Sequence, residues 1–364
     1  MTAIPAELKW LQTPVHRSSE TYRQQAIQRQ NQLTKPPGSM GQLEQLAITL
    51  AGLQHTDQPS VEKVAILLFA ADHGVVAEGI SAFPQSVTAA MIKNFASGGA
   101  AISVIAAQID AELTVVNLGT VNKLPDLTRV IDHTIGPGTA NLLLQPAMTN
   151  SQLGAAFSAG KQYTDAAISN GHDLLIGGEM GIGNTTAAAA IGCAITNIDP
   201  RQMVGPGTGL EADSLDHKIQ VVERTLNLHQ DYLNDPLEVM RRLGGFEIAA
   251  LSAAMVAAAQ QRVPFLVDGF ITTAAALIAV AIQPSVREWL LFSHCSAEPG
   301  HQLLLDHLQA SALLDLNMRL GEGSGAGVAV PLLRMACALH NQMATFETAQ
   351  VAGAHQPMKP THDF

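Results

Sequence analysis

The chain has 364 residues, of which 47% are hydrophobic, 4% aromatic and 14% charged, and its formal net charge is −11. This composition suffices for a large core of small aliphatic side chains, in one large domain or in a main domain with a smaller companion. The acidic balance and the absence of a basic stripe argue against a nucleic-acid partner, because neutralising phosphates requires clustered Lys and Arg.

The N-terminal segment, "MTAIPAELKWLQTPVHRSSE", lacks the basic and then apolar profile of a signal peptide. Apolar stretches such as residues 248–261 are too short and too rich in alanine to cross a bilayer. Cys193, Cys295 and Cys337 are widely spaced and odd in number, which indicates neither a disulfide framework nor a zinc pattern. We therefore expect a cytoplasmic protein without membrane insertion. Its low charge density suits an oligomer, although a large monomer would also account for it.

Helices are expected at both ends of the chain. Residues 15–60 carry apolar residues at helical spacing, with a Pro-Pro-Gly interruption in "LTKPPGSMG". Another helix is expected at 326–346, and the polar, turn-forming tail at 347–364 is expected to be mobile. We expect residues 1–60 and 326–346 to form a small helical domain beside an α/β domain of residues 61–325.

Between these ends, aliphatic runs typical of buried strands alternate with Ala-rich helical segments. The expected strands are at 63–74, 113–120, 172–184, 262–270 and 288–294. The expected helices are at 86–108, 151–169, 185–197, 239–260 and 271–282. This alternation predicts a Rossmann-like parallel sheet with helices on both faces, which binds ligands at the carboxyl ends of its strands. The residues with reactive side chains that follow the strands are Asp72, His73, Glu179, Asp268, Ser293 and His294.

The run "GGEMGIGNTTAAAAIG", residues 177–192, joins a strand to an Ala-rich helix through a glycine-rich loop. Backbone N–H groups at the start of a helix bind anions, so this run predicts a phosphate cradle with Glu179 at its edge. The alternative is a tight strand-to-helix turn with an ordinary cap. The run is neither a Walker loop nor a dinucleotide fingerprint, because the glycine spacing differs and no lysine follows.

Two further loops allow both a functional and a structural interpretation. In "VGPGTGLEADSLDHK", residues 204–218, Lys218 would supply a cation to a phosphate, but an exposed connection is the favoured interpretation. In "SHCSAEPGH", residues 293–301, Cys295 offers a nucleophile, but a turn in which Ser296 caps a helix is favoured.

A metal site is not expected. The segment "ADHGVVAEG" contains Asp72, His73 and Glu78, but no ligand spacing typical of a metal centre accompanies them. A capping or strand-end role for Asp72 is the favoured interpretation.

Glu322 stands between Gly321 and Gly323 in "MRLGEGSGAGVAVPLL". Glycine neighbours leave the backbone open to a planar substrate, so the carboxylate is either a catalytic group or a solvated loop residue. Withdrawal from water would raise its pKa and make it a better base near neutrality, whereas a nearby helix N-terminus would lower the pKa.

Seven motifs, in order between residues 33 and 327, resemble those of the nicotinate-nucleotide–dimethylbenzimidazole phosphoribosyltransferases. They are "LTKPPGSMGQLEQLA", "ADHGVVAEGISAFPQSVTAAM", "GGEMGIGNTTAAAA", "GGFEIAAL", "VDGF", "SHCSAE" and "MRLGEGSGA". The resemblance implies transfer of the phosphoribosyl group of nicotinate mononucleotide to 5,6-dimethylbenzimidazole during cobalamin biosynthesis, giving α-ribazole 5′-phosphate and nicotinate. It also implies a homodimer that uses neither a metal nor an organic cofactor.

The same resemblance assigns roles to individual residues. Glu322 would be the general base that deprotonates the benzimidazole, and Glu179 would stabilise an oxocarbenium-like transition state. The remaining residues fall into a base pocket and a phosphate and ribose site: Phe83, Met91, Met180 and Leu320 for the first, and Gly181, Asn184, Thr185, Lys218 and Ser296 for the second. The acceptor stays open among dimethylbenzimidazole, benzimidazole, adenine and phenolic compounds, because family members vary at the positions of Phe83 and Met91.

Two other functions remain as alternatives. A sugar-phosphate isomerase or lyase would use the same phosphate cradle, and a non-catalytic nucleotide-binding protein would bind the donor without consuming it. Two carboxylates beside a phosphate site argue against simple binding, because they repel the anion.

Overall fold

The computed structural model describes residues 6–207 and 212–352. The strands are β1 Val64–Ala71, β2 Glu112–Gly119, β3 Val130–Asp132, β4 Leu174–Met180, β5 Phe265–Val267, β6 Leu290–Phe292, β7 His294–Cys295 and β8 Leu314–Asp315. The helices are α1 Glu20–Gln32, α2 Gln42–Gln54, α3 Ser86–Ser97, α4 Ala101–Gln108, α5 Asn150–Ser169, α6 Asn184–Thr196, α7 Pro200–Met203, α8 Ala212–His229, α9 Pro236–Leu243, α10 Phe246–Gln260, α11 Phe270–Ile282, α12 Gly300–His307 and α13 Ser324–Gln342.

The first six strands form one sheet in the order β3-β2-β1-β4-β5-β6, and every neighbouring pair is parallel. The chain therefore builds outward from β1 to β3, returns to the centre and builds outward again from β4 to β6. This reversal leaves a crevice beyond the carboxyl ends of the central strands. The predicted parallel α/β fold is confirmed.

Two of the predicted helices are interrupted by paired glycines. The segment expected as one helix at 86–108 divides into α3 and α4, because Gly98 ends α3 with a left-handed backbone (φ +84°). The segment expected at 239–260 divides into α9 and α10 at Gly244 and Gly245. In the described part of the chain, the stretch Ser86–Gln108 alone is long and apolar enough to cross a membrane by length and composition.

Several elements were not predicted. The edge strand β3 has three residues, none of them buried, so its sequence carries little apolar pattern. The pair β7 and β8 has two residues in each strand. Helix α8 begins inside the segment that was expected to be a loop at 204–218, so Lys218 lies on a helix.

The chain divides into two units. Among the described residues, 6–17 and 61–331 form the larger unit, and 18–60 and 332–352 form the smaller one. The expected boundaries were residues 60 and 325. Residues 6–17 were expected in the small domain but belong to the larger unit, where the carbonyls of Trp10 and Thr13 accept from the Gln260 side chain. Residues 353–364 of the tail that was expected to be mobile lie outside the described residues.

The smaller unit is helical and has its own contacts. Helices α1 and α2 pack together through a cluster that includes Ala26, Ile48 and Ala51. The Arg29 guanidinium donates to the carbonyls of His340 and Asn341, at 2.6 and 2.9 Å. These bonds join α1 to the C-terminal part of α13.

Candidate active site

A cleft of about 200 Å³ lies at the carboxyl ends of β4, β5 and β6. The cleft is lined by residues within 179–185, 268–272 and 294–298, at the ends of these strands or shortly after them, and by residues 319–322 of the loop before α13. The sequence marked eleven candidate residues, and the cleft is lined by all of them except Lys218: Phe83, Met91, Glu179, Met180, Gly181, Asn184, Thr185, Ser296, Leu320 and Glu322.

Glu322 occupies a backbone conformation that is rare for a residue with a side chain. Its φ is +65°, and its neighbours Gly321 and Gly323 both have φ of +87°. Three successive left-handed residues make a tight turn, which for an L-residue such as Glu322 costs on the order of 1–2 kcal/mol. The flanking glycines adopt this conformation without a steric penalty. The turn folds the carboxylate back toward the cleft.

Two glycines let this turn lie against the sheet. A Cβ built on Gly178, in β4, would overlap the carbonyl oxygen of Glu322. A Cβ built on Gly321 would overlap Oε1 of Glu179. Because neither glycine has a side chain, the backbone of residues 321–322 packs directly against β4. Glu179 and Glu322 therefore lie on the same wall of the cleft.

Burial controls the protonation of Glu322. The residue is 4% exposed, and its Oε2 accepts from the backbone N–H of Ile102 at 3.3 Å, in the first turn of α4. Burial raises the pKa of Glu322, and the Ile102 N–H opposes this only in part. A carboxylate with a raised pKa accepts a proton more readily near neutral pH.

Glu179 is held by two donors at the end of β4. The Asn184 side-chain amide and the Glu322 backbone N–H both donate to its carboxylate. Burial, followed by the charges of Glu247 and Asp268, raises the pKa of Glu179 to about 8. The cleft thus contains a carboxyl that readily gains a proton, and a cationic ligand would favour its ionised form.

Lys218 borders a smaller cavity beside the cleft, which Gly181, Asn184 and Thr185 also line. Its ammonium donates to Thr185 Oγ1 at 2.9 Å and to the Gly205 carbonyl at 3.0 Å. The side chain is 1% exposed, and burial lowers the pKa of Lys218 to about 8. The favoured expectation of an exposed connection is therefore wrong for Lys218. A buried ammonium next to a glycine-rich turn is suited to a phosphate.

Ser296 is fixed by a buried histidine. The backbone N–H of Ser296 donates to Nδ1 of His301 at 2.7 Å, and the ring's Nε2 lies 2.9 Å from Thr273 Oγ1. Nδ1 is therefore the unprotonated ring nitrogen, and burial lowers the pKa of His301 to about 3. The neutral ring holds the turn after β7. Ser296 Oγ accepts from the Glu298 N–H at 3.3 Å within this turn. The N-cap of α12 is Pro299, so the expectation that Ser296 caps a helix is wrong.

The outer part of the cleft is apolar. Phe83 precedes α3, Met91 lies on α3, and Leu320 precedes the Glu322 turn. Phe83 is 46% exposed and Leu320 is 58% exposed, although both are large hydrophobic residues. Together with Met180 they offer flat apolar surface near the carboxylates, which suits an aromatic heterocycle.

Comparison with known proteins identifies the family. A sequence model of the phosphoribosyltransferase family matches residues 15–351. A nicotinate-nucleotide–dimethylbenzimidazole phosphoribosyltransferase of Xanthomonas oryzae pv. oryzae (strain PXO99A) is 58% identical over 332 residues, 91% of this chain and 95% of the relative. One of the same name from Pseudomonas fluorescens (strain SBW25) is 54% identical over 343 residues, 94% of this chain and 98% of that protein. The chain belongs to this phosphoribosyltransferase family.

Solved structures agree with the family assignment. The crystal structure of CobT from Thermus thermophilus superposes with a TM-score of 0.88 at 43% identity and covers 92% of this chain and all (100%) of that chain. A nicotinate-nucleotide–dimethylbenzimidazole phosphoribosyltransferase structure from the same organism gives a TM-score of 0.87 at 42% identity, with the same coverage. The resemblance predicted from the seven motifs is confirmed.

Three charged residues that line the cleft of this phosphoribosyltransferase were not among the eleven sequence candidates. Asp268 follows β5, Glu298 follows β7, and Arg319 precedes the Glu322 turn. Burial raises the pKa of Glu298, while Lys218 and Arg319 lower it. The sequence placed Asp268 directly after an apolar strand, and this signal could have assigned it to the site. The other two lie in turns whose folding the sequence does not reveal.

Of the other polar residues that the sequence analysis named, His294 lines the cleft, whereas Asp72, His73 and Glu78 do not. His73 Nε2 and Glu247 Oε1 form a fully buried pair at 2.5 Å. Asp72 accepts from the Val121 N–H at 2.9 Å, which is the strand-end role favoured from the sequence. Glu78 accepts from the Asn141 amide at 2.5 Å. Each of these groups has a partner within the protein.

Proposed function

We propose that this phosphoribosyltransferase transfers the phosphoribosyl group of nicotinate mononucleotide to 5,6-dimethylbenzimidazole, giving α-ribazole 5′-phosphate and nicotinate, for the nucleotide loop of cobalamin. The relatives carry this reaction in their names. The observation that supports it most directly is a buried carboxylate, Glu322, in a cleft with an apolar wall, next to a smaller cavity that the buried Lys218 lines.

The chemistry of the donor determines whether the leaving group requires acid catalysis. The pyridinium ring of the nucleotide is already cationic, so nicotinate leaves with the bonding electrons and needs no proton. The carboxyl groups of Glu179 and Glu322 border the space that this cation and the developing positive charge on the ribose would occupy. We assign the ionised form of Glu179 to stabilising that charge.

The acceptor requires a base. As one ring nitrogen of the benzimidazole attacks the anomeric carbon, the other must lose its proton, and we assign that proton to Glu322. A positioned base contributes roughly 10²–10⁴-fold in rate. Attack on the face opposite nicotinate would convert the β-nucleotide into an α-product.

The position of each group supports the binding roles that we assign. Lys218 and Thr185, with Gly181 and Asn184, would hold the phosphate in the smaller cavity. Ser296 would contact the phosphate or ribose from the opposite turn. The flat acceptor would lie against the apolar wall, which consists of Phe83, Met91, Met180 and Leu320.

We also propose that the protein acts as a homodimer in the cytoplasm. A charged fraction of only 14% and exposed apolar side chains such as Val104 on α4, which is 52% exposed, support a covered surface. Light scattering should give a mass of twice 38.3 kDa in solution, and a mass of 38.3 kDa would show that the protein is a monomer.

One assay tests the function. Purified protein is incubated with nicotinate mononucleotide, with and without dimethylbenzimidazole, and nicotinate and α-ribazole 5′-phosphate are quantified by liquid chromatography and mass spectrometry. We expect nicotinate release only when the acceptor is present, with one product molecule per nicotinate. Breakdown of the donor without acceptor would indicate a lyase, and binding without turnover would indicate a sensor. Benzimidazole, adenine and a phenol in parallel reactions would rank the acceptors.

A further inference from the structure

The turn that carries Glu322 needs an anchor, because a left-handed L-residue relaxes to an ordinary backbone conformation unless its surroundings fix it. Glu322 has φ of +65°, and Gly323, whose peptide follows it directly, has φ of +87°. The orientation of the Glu322 side chain therefore depends on what holds the Gly323 N–H.

Asp268 is the side chain that holds this peptide. Its Oδ2 accepts from the Gly323 N–H at 3.2 Å, and its Oδ1 accepts from the Ala326 N–H at 2.9 Å. The backbone N–H groups of Gly325 and Gly269 also donate to the carboxylate. Asp268 is 1% exposed, so little water is available to replace these bonds.

We propose that Asp268 is a positioning residue for the transfer reaction, which holds the turn of residues 321–323 in its left-handed conformation and thereby aims the Glu322 carboxylate at the acceptor. This inference rests on the proposed function. It adds a residue that does not itself remove a proton. Asp268 reaches the acceptor's proton only through the backbone that its two oxygens hold.

The chemistry of the side chain makes the role specific to a carboxylate. Both oxygens of Asp268 accept from backbone donors, and an asparagine would place an NH₂ group against one of them. That donor would face the N–H of Gly323 or of Ala326, and the turn would move away. A displacement of about 1 Å at a reacting group costs on the order of 100-fold in rate.

The test compares Asp268→Asn with a matched control, Asp173→Asn. Asp173 also accepts from two backbone N–H groups, those of Glu62 and Lys63 at 3.1 and 3.0 Å, but it lies at the opposite end of the sheet, before β4. We expect Asp268→Asn to lower kcat at least ~10-fold while KM for nicotinate mononucleotide changes less than ~3-fold. Asp173→Asn is expected to change neither constant, although it removes the same kind of bond.

A double-mutant cycle separates positioning from general damage. In a Glu322→Gln background the side chain at position 322 cannot remove the proton, so its orientation no longer affects the rate. Asp268→Asn should then lower the residual rate by less than ~2-fold. An equal loss in both backgrounds, or unchanged kcat in Asp268→Asn alone, would overturn the proposal. If Asp268→Asn does not fold, Asp268→Ser, whose smaller side chain admits a water, takes its place in the cycle.

A readout independent of turnover distinguishes this inference from the proposed function. Crystal structures of the ligand-free Asp268 variant should show Glu322 outside the left-handed region, whereas the Asp173 variant should retain φ near its value of +65°. A Glu322 turn that is unchanged in the Asp268 variant would overturn the anchoring role even if the enzyme proved to act on another substrate. An inactive wild-type enzyme would instead overturn the function alone.

Discussion

Glu322 shows how far a single residue can be interpreted from sequence. Its glycine neighbours indicated a backbone open to unusual conformations, and the structure gives all three residues positive φ. The sequence did not settle the direction of its pKa shift, because burial and a helix N-terminus act in opposite directions. Burial predominates, and the α4 N–H of Ile102 opposes it in part.

Glu322→Gln should abolish most turnover while leaving the substrates bound. Glutamine keeps the size of the side chain but cannot take the acceptor's proton, so we expect kcat to fall roughly 10²–10⁴-fold. Steady-state nicotinate release would give kcat, and calorimetric titration with the mononucleotide would give the dissociation constant. A variant with wild-type kcat would exclude Glu322 as the base.

Lys218→Met should weaken binding of the donor's phosphate. Methionine retains an apolar stem of similar length but removes the ammonium that bonds Thr185. Losing a hydrogen bond from a charged group costs about 1.5–3 kcal/mol, so KM for the mononucleotide should rise roughly 10- to 150-fold. Nicotinate riboside, which lacks the phosphate, is the matched substrate and should lose little or nothing. An equal rise in KM for the mononucleotide and the riboside would show that Lys218 does not bind the phosphate.

At the scale of elements, the pattern of apolar runs was enough to predict five of the six strands of the main sheet. The expected segments contain β1, β4, β5 and β6 entirely, and the one at 113–120 overlaps β2. The edge strand β3 was missed because an exposed three-residue strand has no buried face to impose a pattern. Its pairing with β2 arises from tertiary contacts.

Helix α8 was missed for a different reason. Its N-terminal part follows a glycine-rich segment and contains acidic residues, so it was interpreted as a loop. The helix nevertheless buries Lys218 next to α6. A lysine is seldom buried, so sequence alone favours an exposed position, and only the local packing reveals the opposite.

Gly178→Ala should impair catalysis without changing Glu322 itself, because Gly178 lies in β4 directly beneath the Glu322 turn. Its new methyl group would overlap the Glu322 carbonyl, so the turn must shift. We expect kcat to fall at least ~10-fold, with a loss of stability of about 1–3 kcal/mol from overpacking. Nicotinate release and thermal denaturation would measure the two effects.

The neighbouring Gly177 is the control. Successive strand residues face opposite sides of a sheet, and a Cβ on Gly177 would press on Leu251 and Phe265 instead of on the turn. Gly177→Ala should therefore lose stability while the folded enzyme keeps its kcat. A similar fall in kcat for both variants would show that general damage to β4, and not the Glu322 turn, limits the rate.

At the scale of the whole molecule, the buried acids of the cleft should make stability depend on pH. The pKa of Glu179 is raised from 4.5 to about 8 and that of Asp268 from 3.8 to about 7, in both cases mainly by burial. Between the unfolded and the folded values, unfolding releases protons, so these two groups contribute stability that is lost as pH rises through this window. Above about pH 8 their contribution should level off.

Glu179→Gln isolates part of this effect, because glutamine does not ionise. The melting temperature of the ligand-free wild type should fall relative to that of the variant by at least ~2 °C between about pH 6 and about pH 9. Scanning calorimetry of both proteins in matched buffers would measure the difference. Parallel curves over this range would mean that Glu179 titrates near its ordinary value.

The rigidity of the Glu322 turn has a consequence for how this enzyme can diversify. Under the function that we propose, the base is fixed to the sheet and cannot adapt to the shape of the acceptor, so the surrounding surfaces must align each heterocycle with it. Those surfaces belong to other pieces of chain, with Phe83 before α3 and Met91 within it. The proposed roles thus divide acceptor choice and proton removal between separate segments of the chain, so we expect substitutions in the first to change the preferred heterocycle while the second stays the same.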